Sequence, residues 1–128
     1  MTPELTYLAY SVVLLIAHVL VQATFSDLSK GIGWALGPRD EDREQNPLAE
    51  RLQKALRNYL ETYVAFVALA LAVTVADAGN ETTALGAALW FWARVVYIPV
   101  YVSGVPLIRS VVFFVSLAGL GLMLIQLL

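Results

Sequence analysis

Hydrophobic positions along this chain fall into long continuous blocks, with neither strict alternation nor a heptad repeat. Leu5 to Ser26 holds no Asp, Glu, Lys or Arg. A spanning helix needs about 20 apolar residues, because the hydrocarbon core is about 30 Å thick and a helix rises about 1.5 Å per residue. This block is long enough. Glu4 precedes it and no basic segment does, so its flanks do not match a cleaved signal peptide. Thr62 to Ala76 is also uncharged, but its 15 residues reach only about 22 Å as a helix, too short to cross. Asp77, Gly79 and Asn80 close it on the C-terminal side. The second helix must therefore begin earlier and take Arg57 and Glu61 into or beside the bilayer. Thr82 to Val102 is the third block, with Arg94 inside it. Gly104 and Pro106 then break the chain, and Leu107 to Leu128 forms the fourth, with Arg109 near its start.

The blocks predict spanning helices over about residues 4–26, 52–76, 82–102 and 107–128. Strands of a membrane barrel would show segments of about ten residues alternating in polarity, and these blocks do not. The expected fold is an all-α membrane protein, a four-transmembrane-helix antiparallel bundle, in one domain over residues 1–128. The first connection, about residues 27–51, is the one sizeable polar stretch, with Gly31, Gly33, Gly37, Pro38 and Pro47 read as breakers of regular structure. Its mixed-sign run Arg39-Asp40-Glu41-Asp42-Arg43-Glu44 reads as a solvated loop. Trp34 suits the headgroup level. This side of the chain also carries Lys30, Arg51, Lys54 and Arg57, whereas the turn around Asp77 and Glu81 has no base. Basic residues favour the cytoplasmic side, which would leave both termini on the non-cytoplasmic side of a bacterial inner membrane.

Composition agrees. Hydrophobic residues make up 59% and charged residues 14%, against about 45–50% and about 25% in soluble domains. A net charge of −2 gives no electrostatic support to a nucleic-acid partner. With no cysteine and a single histidine, disulfides, thiolate metal sites, a cysteine nucleophile and a multi-histidine metal site are excluded. His18, alone on an apolar helix, reads as a satisfied core or interface histidine. Gly86, Gly104, Gly119 and Gly121 suit close helix packing or turns.

The few charges in apolar blocks then become informative, because each costs at least a few kcal/mol in a bilayer and turns toward the bundle interior. Lys54, Arg57, Asn58 and Glu61 are spaced 0, 3, 4 and 7 on the second helix, which places them on one face. Arg57 and Glu61 stand at i and i+4, close enough to pair. Trp90, Arg94, Tyr97 and Tyr101 are spaced 0, 4, 7 and 11 on the third, again one stripe. Arg109, followed by Ser110, opens the fourth helix. These groups can converge on one cytoplasmic-side cavity, cationic on balance, with one carboxylate, an amide and two phenols. Arginine forks suit carboxylates and a lone carboxylate suits an ammonium. The complementary ligand is small, with two or more carboxylates and one amino group, and glutathione meets that description. A nearby guanidinium would also stabilise its thiolate. The same residues admit a plainer reading, with Arg57–Glu61 as an internal ion pair, Arg94 and Arg109 snorkelling to the interface, and the tyrosines as packing groups.

At these residues the chain resembles a known family. The stretch Glu50-Arg51-Leu52-Gln53-Lys54-Ala55-Leu56-Arg57-Asn58-Tyr59-Leu60-Glu61-Thr62 is similar to the second-helix signature of the MAPEG family, the membrane-associated proteins of eicosanoid and glutathione metabolism. Ala93-Arg94-Val95-Val96-Tyr97-Ile98-Pro99-Val100-Tyr101 and Pro106-Leu107-Ile108-Arg109-Ser110 resemble its third- and fourth-helix signatures. The resemblance implies a homotrimer with glutathione sites between subunits. By position it implies that Arg57, Asn58 and Glu61 bind glutathione, Glu61 at the amino group, with Lys54 and Ser110 in the same site. Tyr97 and Tyr101 would line it, Arg109 would stabilise the thiolate as the catalytic residue, and Arg94 would hold the polar interior together. Lys54 stands where the family often has arginine, and no proline follows Glu61-Thr62 within a few residues.

The reading that follows is a glutathione-dependent transferase or peroxidase acting on a lipophilic electrophile that arrives from the membrane lipid. The alternative is a non-catalytic membrane scaffold or lipid-binding subunit of the same fold. A transporter or channel would need a polar path across the whole bilayer, whereas these ionisable residues gather toward one side.

Overall fold

The computed structural model describes residues 1–38 and 43–128. The first four residues of the charge run Arg39 to Glu44 therefore lie outside the described residues. The chain forms α1 (Pro3–Lys30), α2 (Ile32–Leu36), α3 (Pro47–Val75), α4 (Glu81–Ser103) and α5 (Pro106–Leu127), with no strand among the described residues. All but α2 are long and apolar enough to cross a membrane. The protein is an all-helical, four-span membrane bundle.

Local chemistry sets where the helices start. α1, α3 and α5 each open on proline, which is pre-organised for a first helical turn whose N–H has no partner anyway. Asn46 Oδ1 caps α3 by accepting from Ala49 N at 2.8 Å. Asn80 and Thr83 cap α4 reciprocally: Asn80 Oδ1 accepts from Thr83 N at 3.0 Å, and Thr83 Oγ1 accepts from Asn80 N at 2.8 Å. Two expectations change here. Pro47 begins a helix instead of breaking one, so α3 starts about five residues before the expected position near 52. α1 continues through Asp27 to Lys30 and stops only at Gly31, whose φ of 103° is left-handed. The connection thus shortens to residues 31–46 and contains the single turn of α2. At 29 residues, α3 is about 43 Å long against a core of about 30 Å. It can accordingly cross the bilayer and still project its first turns beyond it.

α4 and α5 approach most closely at Gly86 and Gly119. A Cβ placed on Gly86 would lie 2.5 Å from the Gly119 carbonyl oxygen, and one on Gly119 would lie 2.5 Å from that of Gly86. Two backbones in contact leave no room for a side chain. Gly121 has open space around it and serves no such contact in this protomer. The core beside this crossing is aromatic, with the Phe66 and Trp90 rings stacked 4.0 Å apart.

Each end of the bundle is tied. At one, Thr83 Oγ1 donates to the buried Glu4 carboxylate at 2.5 Å, and Asn80 Nδ2 donates to Gln126 Oε1 at 2.7 Å. At the other, Arg51 Nη1 donates to the Val102 carbonyl at 3.0 Å, over the α4–α5 turn where Gly104 takes a φ of 78°.

Candidate functional site

The α4 stripe turns inward as its spacing requires. Trp90, Arg94 and Tyr97 are buried, Arg94 being only 1% exposed, and Tyr101 is half-buried. Trp90 belongs to the aromatic core, and the other three form polar surroundings. Arg94 Nη1 donates to Asn58 Oδ1 at 2.8 Å. The Arg94 guanidinium lies 4.3 Å from the Tyr97 ring centre and 5.7 Å from that of Tyr59. Its Nε and Nη2 are buried without a hydrogen-bond partner among the described residues. Pro99, between the tyrosines, has no N–H to return to the Val95 carbonyl, which loosens the helix ladder where the stripe reaches the surface. The Tyr97 and Tyr101 rings are 5.6 Å apart, and the Arg109 guanidinium sits 5.1 Å from the Tyr101 ring centre.

Asn58, Tyr97, Tyr101, Arg109 and Ser110 line one pocket of about 420 Å³, walled on its apolar side by Phe113 and Phe114. Ser110 Oγ donates to the Pro106 carbonyl at 3.2 Å, so its hydroxyl proton is occupied. Arg57 and Glu61 line a second pocket of about 430 Å³ between α1 and α3, with Gln22 and Gln53. Lys54 lines neither pocket and is exposed. Within one protomer, then, the expected single cavity is two. The reason is angular, because Arg57 and Asn58 are neighbours in sequence and so stand about 100° apart around the helix axis. Asn58 turns to α4, and Arg57 turns to α1. No direct ion pair joins Arg57 to Glu61 among the described residues.

Gln22 and Gln53 are site-lining residues that the sequence reading missed. Gln22 is the one side-chain amide in the first apolar block, and that was the signal available. His18 is in the core, its ring 4.9 Å from that of Tyr59. It is not satisfied as expected, because Nε2 is buried with no hydrogen-bond partner among the described residues. Between α4 and α5, an apolar groove of about 340 Å³ runs past Leu89, Trp92, Val96, Val112 and Val115.

Chemically, the first pocket presents a guanidinium, two phenols and an amide around a space large enough for part of a peptide-sized ligand. The second presents a carboxylate, a guanidinium and two amides.

Among known proteins, the model of the MAPEG family matches residues 7–128, which include every residue of both pockets. No curated protein and no solved structure matches the chain.

Proposed function

The chain belongs to the MAPEG family, and on that premise we propose that it is a glutathione-dependent transferase or peroxidase acting on lipophilic electrophiles. The observation that carries the reading is the single pocket shared by Arg109, Tyr97, Tyr101 and Asn58. In this reading Arg109 stabilises the thiolate of glutathione, a preorganised charge placed where negative charge develops. The thiol proton leaves to solvent. The sulfur then forms a bond to the electrophilic carbon, and the leaving group departs with its electron pair. No general base is required. Glu61 takes the amino group of glutathione, and Arg57 and Lys54 take carboxylates. The apolar groove beside α4 and α5 gives a lipophilic substrate a path in from the bilayer.

The site lies between subunits of a homotrimer in this account. Its support is that Arg57 and Glu61 are exposed on the isolated protomer, although charged groups in a spanning helix need cover from lipid. A neighbouring subunit supplies that cover and can bring its Arg109 pocket against the Glu61 pocket. The basic end of the bundle faces the cytoplasm, and both termini face the other side.

The same apolar groove favours a second reading, a lipid-binding scaffold without chemistry. The experiment that separates the two is glutathione conjugation of a lipophilic aryl halide by detergent-purified protein, followed beside thiolate absorbance in the ultraviolet. The enzyme reading expects saturable conjugation that Arg109→Ala slows by about 100-fold, together with loss of the thiolate signal. Conjugation and thiolate formation unchanged in Arg109→Ala would sink the role of Arg109. Absence of both in the wild type would favour the scaffold.

A further inference from the structure

We propose that Arg94 is a positioning residue that fixes the orientation of the Asn58 amide, and that this makes the pocket beside Arg109 selective for an anionic group. The identity of the ligand rests on the glutathione reading, but its charge does not.

Arginine carries five N–H donors and no acceptor. The Asn58 atom that meets Arg94 Nη1 at 2.8 Å therefore has to be the carbonyl oxygen. Arg94 is 1% exposed and held against the Tyr97 and Tyr59 rings, so it cannot swing away to release that oxygen. With the carbonyl occupied, the two amide N–H groups are what Asn58 offers to the pocket it lines. Arg109 adds further donors, and no carboxylate among the described residues lines this pocket. Among the described residues the Nε and Nη2 groups of Arg94 have no hydrogen-bond partner, so its charge acts on the pocket from behind without a neutralising neighbour in hydrogen-bond contact. The result is a donor-rich wall suited to a carboxylate or thiolate. The one carboxylate of the candidate site, Glu61, is kept to the other pocket. A ligand with an acidic and an amino end would thus be read in one direction only.

The test uses full-length protein in detergent, with glutathione and, as a minimal anion, glutarate. Glutaramide serves as the neutral isostere of glutarate. Asn58→Asp keeps the contact to Arg94 but replaces the amide donors with a negative oxygen. Unliganded thermal stability should hold. Affinity for both anions should fall at least roughly tenfold below that of Asn58→Ala, because a like charge repels where a truncated side chain merely fails to help. Asn58→Asp binding as well as Asn58→Ala would overturn the proposal. Should Asn58→Asp not fold, Arg94 is varied instead. Arg94→Lys can still donate to the Asn58 carbonyl and should retain the preference for glutarate over glutaramide, whereas Arg94→Leu should lose it. Equal loss in both variants, or loss in neither, would overturn the positioning role. Wild-type protein that binds glutarate with this pattern but not glutathione refutes the glutathione reading only. Wild-type protein that binds neither refutes both.

Discussion

Arg109 and Glu4 are charged side chains placed in opposite circumstances. Arg109 is half-buried at the rim of its pocket, against Tyr101 and free of any structural hydrogen bond in the described residues. Replacing it with alanine should leave the thermal unfolding midpoint nearly unchanged and, on the enzyme reading, lower kcat by about 100-fold, the usual cost of one electrostatic donor. Steady-state conjugation kinetics checks this. Glu4 is 2% exposed and bonded to Thr83, far from that pocket. Glu4→Ala should cost about 1–3 kcal/mol, because it leaves the Thr83 hydroxyl without its charged partner, and thermal unfolding should show the loss without a change in ligand affinity. Arg94, Tyr97, Tyr101 and Arg109 were legible in the sequence because an ionisable or phenolic group in an apolar block has to turn inward. Glu4 was not, because it stands at the edge of its block, where water is expected to serve it. The separation of Arg57 from Asn58 was not legible either. A stripe spaced 0, 3, 4 and 7 covers an arc wide enough for two neighbouring helices to divide, and spacing alone does not say where they sit.

Helix boundaries show the same contrast among elements. Length and hydropathy located four spans, but the starts of α1, α3 and α5 were written in caps and prolines. Pro47 after Asn46 is the instructive case, since proline stops a helix from inside and starts one from its first position. Close packing was legible as glycine content, but not which glycine does it. Gly86 and Gly119 bring α4 and α5 into backbone contact, while Gly121, two residues on, faces open space. Gly119→Ala should therefore destabilise the bundle by about 1–3 kcal/mol through overpacking, and Gly121→Ala should stay within about 0.5 kcal/mol. Equal midpoints for the two variants in thermal unfolding would contradict the crossing described here. Arg51, tied to the Val102 carbonyl, holds α3 to the α4–α5 turn that sets the distance between Tyr101 and Arg109.

Across the whole molecule, exposed charge on a spanning helix requires company. Arg57 and Glu61 on the outside of the protomer are the reason to propose that the ligand lies between subunits. Orientation is directly testable because the chain has no cysteine. In a bacterial inner membrane, Asp77→Cys should react with a membrane-impermeant maleimide from outside, and Glu44→Cys should react only after lysis; the reverse pattern would invert the topology. The proposed glutathione site spans both pockets. The most direct measurement is thermal unfolding of the purified protein with and without glutathione, beside Glu61→Ala and Arg109→Ala. A ligand at 100 times its Kd that binds only the folded state adds about 2.7 kcal/mol of apparent stability. The expected result is a saturable rise in the wild-type midpoint that Glu61→Ala abolishes. No rise at millimolar glutathione, from a protein that runs as a well-behaved trimer, would contradict it.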